Sequence, residues 1–581
     1  MRKSDGRLAR IHAGTRPSVR VAALGLVVGL LWSGSLGGVA AADDATFTGW
    51  VSSSGPVIRW HTFTVGSVGT IRATLSWDAT AADLNLYLQD PLRRTVASAR
   101  SLSRMPETLT ASPTIMGTWW IGVRAASGAA SYRLDISYPG EVWLDLGIVD
   151  RAADAGIAQV TRSWGTFVHD YDVDGDQDFL YNRHGGSAML LYANDGTGRF
   201  TSVLPGLFPI NDRHDCVWGD VNLDGFPDAY CAVGAGHPLY PPKVNELWLG
   251  GPDGTLTRAP EAWGAEDPLG RARQPALFDA NGDGLLDLFV GNIYPRLDGQ
   301  PSPNRFFIQD PPGAFRSAPE WGVDLEIGAA CAEPADFDED GSVDLAVCAF
   351  PAAGGLKLYR NVAGASFEDV AASQGVTGTW CDVHWADLNA DGHMDLLLMS
   401  RTLFQIMLRE PEGFRTAYRR GMDRAGCNIG GGGDRIATGD VNGDGYPDVY
   451  VLYSGYTTDA YNLPDVLLVN DGTGTGFARA LLPTTSAGSG QSVAAIEADG
   501  DPATEFLVTN GRAKLQGPIQ LLDVAGWRRP HPCSRRSWSV PARIRRAGRS
   551  SAARGTGRSP RRRSRARRRA RSRAPRGARR S

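Results

Sequence analysis

The chain consists of short apolar or alternating segments separated by turns rich in glycine and acidic residues. Between residues 45 and 138 five segments alternate apolar and polar positions: IRWHTFTV, TIRATLSW, DLNLYLQD, TWWIGVRA and SYRLDISY. A period of two is typical of strands with one buried face. Because turn residues separate these segments at short intervals, the pattern predicts a small β-sandwich over residues 43–140.

From Ser163 onward a larger unit recurs every 50–59 residues. Each unit has an acidic loop between two strands, then a third strand such as RFFIQD or DVLLVN. A glycine-containing turn and an aromatic residue follow and begin a fourth strand, such as FTSVL or FEDVA. A fixed period of this length indicates a repeat architecture. Four antiparallel strands in each of seven units predict an all-β fold, a seven-bladed β-propeller over residues 141–527.

The two ends of the array complement each other. The seventh unit supplies FLVTN (506–510) and IQLLDV (519–524) but has no fourth strand, whereas residues 142–157 read as an unpaired fourth strand. An open sheet would expose unpaired edges. We therefore expect the N-terminal strand to complete the last blade.

The acidic loops have the composition of calcium-binding loops. Six keep Asp at position 1, Asp or Asn at 3, Asp at 5, Gly at 6 and Asp at 9. Alternate oxygen ligands around a glycine-enabled turn suit Ca²⁺. The predicted ligands of six Ca²⁺ sites are Asp170, Asp172, Asp174, Asp178; Asp220, Asn222, Asp224, Asp228; Asp279, Asn281, Asp283, Asp287; Asp336, Asp338, Asp340, Asp344; Asp387, Asn389, Asp391, Asp395; and Asp440, Asn442, Asp444, Asp448.

The seventh loop, Glu497–Glu505, departs from this pattern. Pro502 stands at position 6, and glutamate replaces aspartate at positions 1 and 9. We expect this loop to bind calcium weakly or not at all. We interpret the six regular loops as structural rather than catalytic sites, since each already supplies most of the oxygens that the ion needs.

Four cysteines are placed symmetrically about two of the loops. Cys216 and Cys231 lie four residues before and eleven after the first Asp of their loop, and Cys331 and Cys348 lie five before and twelve after theirs. Residues related in this way lie opposite each other on neighbouring strands, which predicts the disulfides Cys216–Cys231 and Cys331–Cys348. Cys381 and Cys427 are candidates for a third disulfide.

The N-terminus has the layout of a secretory signal peptide over residues 1–42. A basic segment precedes a mostly apolar run, VAALGLVVGLLWSGSLGGVA (21–40), and small residues then lead to Asp43. The alternative is a retained membrane anchor, but the glycines and the small residues favour cleavage near Ala42. We expect a secreted, cell-surface or periplasmic protein with no membrane span after cleavage, and export also favours disulfides over free cysteines.

Charge is segregated along the chain. The formal net charge is −3, but residues 528–581 hold 22 arginines and no acidic residue, which leaves 38 basic against 63 acidic residues elsewhere. The acidic body indicates a cation-loaded protein, and no nucleic-acid partner is expected for it. The arginine-rich tail is predicted to be disordered. It is either a basic arm or, as we favour, an out-of-frame translation, because GC-rich frames give arginine without lysine.

Two resemblances follow from these motifs. The segments LSWDATAADLNLYLQDP and GTWWIGVRAASGAASYRLDI resemble the bacterial pre-peptidase C-terminal domain, which accompanies secreted enzymes and surface proteins. In this domain Asp78, Asp83, Asn85 and Glu107 are either ligands of a further cation or ordinary turn and edge residues. The repeats resemble the FG-GAP (VCBS) repeats of integrin α-subunit propellers. That resemblance implies calcium in the loop between the first and second strands of each blade but does not fix a function.

Function is predicted to lie on the opposite face from the acidic loops. Three long segments between second and third strands carry aromatic and arginine side chains, which are favoured binding anchors: Tyr240, Tyr294, Arg296, Tyr456 and Tyr461. The alternative is tolerated loop insertion. No G-x-S-x-G, H-E-x-x-H, P-loop or C-x-x-C motif is present. An extracellular adhesion or ligand-binding module for a protein or glycan is therefore favoured over a polysaccharide lyase or hydrolase.

Overall fold

A computed structural model describes residues 42–55, 57–101, 105–183, 187–234, 244–268, 270–293, 302–324, 328–349, 355–422, 434–453, 465–483, 490–512 and 515–525. These residues form 38 strands and three short 3-10 helices, Pro252–Gly254, Glu261–Trp263 and Pro319–Trp321. The prediction of an all-β chain is confirmed. In the described part of the chain, no helix is long and apolar enough to cross a membrane.

The N-terminal region contains two four-stranded antiparallel sheets. Its strands are β1 (Ala42–Ser52), β2 (Arg59–Val65), β3 (Ile71–Trp77), β4 (Asp83–Gln89), β5 (Thr95–Ala99), β6 (Glu107–Ala111), β7 (Gly117–Ser127) and β8 (Ala129–Pro139). The strand orders are β1-β8-β3-β6 and β2-β7-β4-β5. Alternate residues such as Leu84, Leu86 and Leu88 enter one apolar core, and the residues between them face outward. The sequence pattern located five of these strands and missed β1, β5 and β6.

Three short strands connect this region to the repeats: β9 (Trp143–Leu144), β10 (Ile148–Asp150) and β11 (Val160–Thr161). The repeats then form seven sheets, which we number 1 to 7 in chain order. Their strands are β12 (Gly165–His169), β13 (Asp178–Asn182), β14 (Leu190–Asn194) and β15 (Phe200–Val203); β16 (Arg213–Gly219), β17 (Asp228–Val233), β18 (Glu246–Gly251) and β19 (Thr255–Arg258); β20 (Ala272–Phe278), β21 (Asp287–Asn292), β22 (Arg305–Gln309) and β23 (Phe315–Ser317); β24 (Ala329–Ala335), β25 (Asp344–Ala349), β26 (Leu356–Asn361) and β27 (Phe367–Asp369); β28 (Asp382–Ala386), β29 (Asp395–Met399), β30 (Leu403–Glu410) and β31 (Gly413–Gly421); β32 (Ile436–Gly439), β33 (Asp448–Val451), β34 (Val466–Asn470) and β35 (Phe477–Ala480); and β36 (Gly490–Ile496), β37 (Glu505–Arg512) and β38 (Leu515–Val524).

Within each sheet the strands pair in chain order and run antiparallel. The first strands of successive sheets pack against one another from β12 through β16, β20, β24, β28 and β32 to β36, and β36 packs against β12. Seven apolar clusters fill the spaces between neighbouring sheets. One of them joins Phe179 and Tyr181 of sheet 1 to Leu507 and Leu521 of sheet 7. The second strands, with neighbours on both faces, are almost wholly buried.

The two ends of the repeat region meet in sheet 7. Strand β10 pairs antiparallel with β38, with Ile148 opposite Val524 and Asp150 opposite Leu522. The prediction that an N-terminal strand supplies the missing fourth strand is confirmed. Just before it, β9 pairs in parallel with β35 and adds a fifth strand to sheet 6, which the sequence pattern did not predict.

Both predicted disulfides are confirmed. Cys216 lies directly opposite Cys231, and Cys331 directly opposite Cys348, on the first two strands of sheets 2 and 4. Their sulfur atoms are bonded. Cys381 is also disulfide-bonded, but Cys427, its predicted partner, lies outside the described residues.

Candidate metal-binding loops

The nine-residue acidic loops connect the first strand of each sheet to the second. Position 9 opens the second strand and is almost fully buried in all six regular loops. Its carboxylate accepts the backbone N–H of position 2 at 2.8–3.1 Å. It also accepts a backbone N–H from the third strand at 2.7–2.9 Å. Position 9 therefore ties the loop to the sheet, because a buried N–H without a partner would be costly.

Position 1 fixes the turn itself. In every regular loop one carboxylate oxygen accepts the N–H of position 5 at 3.1–3.2 Å. The other accepts the N–H of the position-6 glycine at 2.7–3.0 Å. These glycines have φ between 84° and 98°. A Cβ there would meet nothing within 4 Å, so glycine is required by backbone conformation and not by space.

The carboxylates converge in two of the six regular loops. In loop 1 oxygens of Asp170, Asp172, Asp174 and Asp178 lie within 4.8 Å of one another, and Asp336, Asp338 and Asp340 of loop 4 do the same. The other four regular loops have Asn at position 3, whose amide donates to the position-5 carboxylate at 2.9–3.0 Å. A set of carboxylate and amide oxygens without nitrogen or sulfur ligands suits a hard cation such as Ca²⁺. The residues present therefore fit the ion.

Electrostatics indicate the same requirement. Burial raises the pKa of Asp178 and Asp344 to about 7 and that of Asp448 to about 8. Backbone N–H groups oppose this shift, and the neighbouring loop carboxylates add to it. A pKa raised in this way means that the negative charge is disfavoured in the absence of a counter-ion. A bound cation would remove that penalty.

The seventh loop keeps more of the regular loop's carboxylate clustering and hydrogen bonds than its sequence predicts. Oxygens of Asp499, Asp501 and Glu505 lie within 4.8 Å of one another. Glu505 still accepts the N–H of position 2, Ala498, at 2.7 Å. Glu497 instead accepts the hydroxyl of Thr504 at 3.0 Å. The cluster borders a cavity of about 220 Å³ that is also lined by Arg151 and Asp523. Positions 3, 5 and 9 thus keep a clustered carboxylate, although position 9 is glutamate and positions 1 and 6 also differ.

The predicted binding residues Tyr240, Tyr294, Arg296, Tyr456 and Tyr461 lie outside the described residues. The strands that flank their segments are the second and third strands of sheets 2, 3 and 6. In an antiparallel sheet the connection from second to third strand leaves the end opposite to that from first to second. The second strands of these sheets therefore end, and the third strands begin, at the end opposite the acidic loops.

A polar cluster on the first strands was missed at the sequence level. His384 of sheet 5 contacts Glu333 of sheet 4 at 3.2 Å and Thr438 of sheet 6 at 3.0 Å. The side chains of His384 and Glu333 are 24% and 20% exposed. Burial lowers the pKa of His384, but Glu333, Asp434 and Asp382 together outweigh burial and raise this pKa to about 9. Glu333 and His384 each lie three residues before the first Asp of a loop, and this equal offset is a signal that could have revealed the pair.

Comparison with known proteins identifies the repeats. A family model described as FG-GAP-like repeat matches residues 170–231 and 336–398. The chain therefore contains FG-GAP-like repeats. Each match begins at the first residue of one acidic loop and runs through the next acidic loop into the second strand that follows it.

Two solved structures have weak similarity. The Yersinia pseudotuberculosis-derived mitogen is 16% identical over 17% of this chain and 87% of that chain, with a TM-score of 0.14. The Photorhabdus luminescens Tc holotoxin pore, carrying the mutation TccC3-D651A, is 15% identical over 62% of this chain, with a TM-score of 0.26. Of that pore chain, 19% is covered.

Proposed function

We propose that the protein is an exported, calcium-stabilised, seven-bladed β-propeller with an N-terminal β-sandwich, and that it binds an extracellular protein or glycan. The observation that carries this proposal is the common geometry of the six regular loops. In each of them the carboxylates of positions 1 and 9 accept the same backbone N–H groups. Such uniformity across six repeats fits one shared structural role, a bound Ca²⁺ ion.

Closure of the propeller is supported by the packing at its ends. Apolar clusters lie between every successive pair of sheets and also between sheets 7 and 1. Strand β10 completes sheet 7 from the N-terminal side. A ring of seven four-stranded units joined in this way leaves few open edges. Small-angle scattering of the protein in calcium would check it, because a closed ring and an open arc of seven sheets differ in radius of gyration.

Export is supported by the basic and apolar N-terminal layout and by the disulfides. Bonds such as Cys216–Cys231 form and persist in oxidising compartments. Extracellular calcium modules typically have a Kd of about 10⁻⁴–10⁻³ M, so millimolar extracellular calcium fills them. The first check is N-terminal sequencing of the mature protein, which we expect to begin at or just after residue 42.

Partner binding is assigned to the end of the propeller opposite the acidic loops. Glycan arrays and pull-down experiments with the full protein, each with and without Ca²⁺, identify the partner class. Alanine at Tyr240, Tyr294 and Tyr456 should reduce binding without lowering the melting temperature. Matched alanine controls at the exposed residues Leu223 and Val173 of the acidic loops should leave binding unchanged. Equal binding by all variants would place the binding surface elsewhere.

A second candidate function is a polysaccharide lyase or hydrolase, and one observation favours it. His384, Glu333 and Thr438 form a partly exposed, hydrogen-bonded series across three sheets. With its raised pKa, His384 would be protonated at neutral pH and able to donate a proton. Activity in a polysaccharide screen that His384→Gln abolishes, with the melting temperature retained, would establish this function in place of binding alone.

A further inference from the structure

The N-terminal sandwich has an acidic site that is separate from the loops. Asp83 and Asn85 alternate along the outward face of β4, and Glu107 is the first residue of β6. Strand β4 belongs to one sheet of the sandwich and β6 to the other. Strand β6 is an edge strand of its sheet, and Glu107 lies close enough to β4 for the charge of Asp83 and the N–H of Leu86 to act on its carboxyl group.

The structure separates these three residues from Asp78, the fourth candidate in the sequence. Asp78 accepts the backbone N–H of Ser131 at 2.9 Å, which joins the residue after β3 to strand β8. Asp83 Oδ1, Asn85 Oδ1 and Glu107 Oε2 are each shielded from solvent and have no hydrogen-bond partner among the residues that the structure describes. Glu107 is 2% exposed as a residue. A buried carboxylate oxygen without a partner is costly, so the arrangement lacks a component.

The surroundings of Glu107 identify the missing component as positive. Its other oxygen, Oε1, accepts the backbone N–H of Ser101. Burial and the nearby charge of Asp83 raise the pKa of Glu107, and the N–H groups of Ser101 and Leu86 oppose that shift. No arginine or lysine is among the groups that act on it in the described chain. Arg100 of the described chain stacks over the Tyr87 ring, 5.0 Å from its centroid.

We propose that Asp83, Asn85 and Glu107 bind a divalent, oxygen-preferring cation, Ca²⁺ under extracellular conditions, at the edge of the sandwich. Two carboxylates and one amide oxygen form the kind of ligand set that Ca²⁺ takes, and water completes the coordination. Because the ligands come from both sheets, the ion holds β4 against β6. This site does not depend on the acidic loops of the repeats and belongs to a different fold.

The test measures hydrogen exchange on the full protein, with Ca²⁺ as the probe. At about 1 mM Ca²⁺ and a Kd of about 10⁻⁴ M, linkage predicts about tenfold slower opening. We expect that slowing in peptides covering residues 83–89 and 107–111 of the wild-type protein. Glu107→Gln should abolish it and should bind one Ca²⁺ fewer by equilibrium dialysis. Asp78→Asn, the matched control, should keep both the slowing and the ion.

Two further results decide the interpretation. Asp83→Asn supplies a second conservative variant in case Glu107→Gln does not fold, and it should give the same loss. Equal Ca²⁺ stoichiometry and equal exchange of β4 and β6 in wild type and both variants would overturn the proposal. Peptides covering residues 170–178 report the repeats separately. An effect of Ca²⁺ at β4 and β6 with none at residues 170–178 would contradict the loop sites while supporting this one.

Discussion

The sixth loop, Asp440–Asp448, and the seventh, Glu497–Glu505, occupy equivalent places between the first two strands of neighbouring sheets. In the sixth, both oxygens of Asp440 accept loop N–H groups, and Asp448 accepts one N–H from the loop and one from the third strand. In the seventh, Glu497 bonds a threonine hydroxyl instead, and Glu505 keeps only the bond to Ala498.

The difference shows that two tasks are combined in the regular loop. Position 9 connects the loop to the sheet, and its hydrogen bond with the N–H of position 2 is present in both loops. Position 1 organises the turn, and it is lost in the seventh, where Pro502 has no N–H to offer. Carboxylates nevertheless gather at positions 3, 5 and 9 of the seventh loop. The sequence pattern of a loop therefore predicts its turn geometry more directly than it predicts whether carboxylates gather there.

The largest expected effect is that of removing calcium from all the loops. At about 1 mM Ca²⁺ each regular site contributes about 0.4–1.4 kcal/mol, and six contribute about 2.5–8.5 kcal/mol. That is a large share of a stability of about 5–15 kcal/mol. EGTA should therefore lower the melting temperature substantially, as followed by circular dichroism. The same melting curve with and without EGTA would contradict a structural role for calcium, and excess Mg²⁺ serves as the ion control.

The next largest effect is expected at position 9, where alanine should destabilise the sixth loop more than the seventh. Asp448→Ala removes two hydrogen bonds. At a pH above 8, where the carboxyl group is charged, this should cost about 3–6 kcal/mol, since each hydrogen bond to a charged group contributes about 1.5–3 kcal/mol. Glu505→Ala removes one and should cost about half as much. Urea unfolding in EGTA measures both without a contribution from the ion. Equal losses would mean that the seventh loop is connected to its sheet as firmly as the sixth.

Disulfides provide a third contrast, because they bracket loops 2 and 4 and not loop 6. Replacing Cys216 and Cys231 together with alanine opens a loop of 15 residues, which should cost about 3 kcal/mol. The variant should also depend more strongly on Ca²⁺ than the wild type does, because the ion then closes loop 2 alone. Urea unfolding at several Ca²⁺ concentrations measures this. Unchanged calcium dependence would mean that the disulfide and the bound ion stabilise the protein independently.

The smallest effects concern single ions. Asp440→Asn removes an expected ligand and should lose one Ca²⁺, with a cost of about 0.4–1.4 kcal/mol. Glu497→Gln should leave the number of bound ions unchanged, since its carboxylate bonds Thr504 and lies outside the acidic cluster. Equilibrium dialysis counts the ions. Asp499→Asn completes the set, because loss of an ion there would establish that the seventh loop binds.

Much of this molecule is predictable because its decisive interactions are local. Alternation located five of the eight strands of the sandwich, and the loop spacing predicted the seven sheets. The equal offsets of Cys216 and Cys231 about their loop identified them as opposite neighbours. The long-range pairing of β10 with β38 was also predictable. The seventh unit lacked a fourth strand, and residues 142–157 read as an unpaired one.

Other features depended on contacts that sequence spacing does not encode. The parallel pairing of β9 with β35 follows from where the connecting segment crosses sheet 6. Asp78 and Glu107 looked equivalent as acidic residues, but one is satisfied by a backbone N–H and the other retains an unpartnered oxygen. The contacts of His384 with Glu333 and Thr438 likewise join three sheets.

By itself, the sequence determined the all-β class, the repeat, the acidic loops and the two disulfides. These depend on periodicity and on fixed offsets within one hairpin, where neighbours in space are near neighbours in the chain. Only the tertiary structure decided which oxygens meet, in the seventh loop and at the edge of the sandwich. Such meetings depend on how separate strands and sheets pack, and no local pattern along the chain specifies that packing.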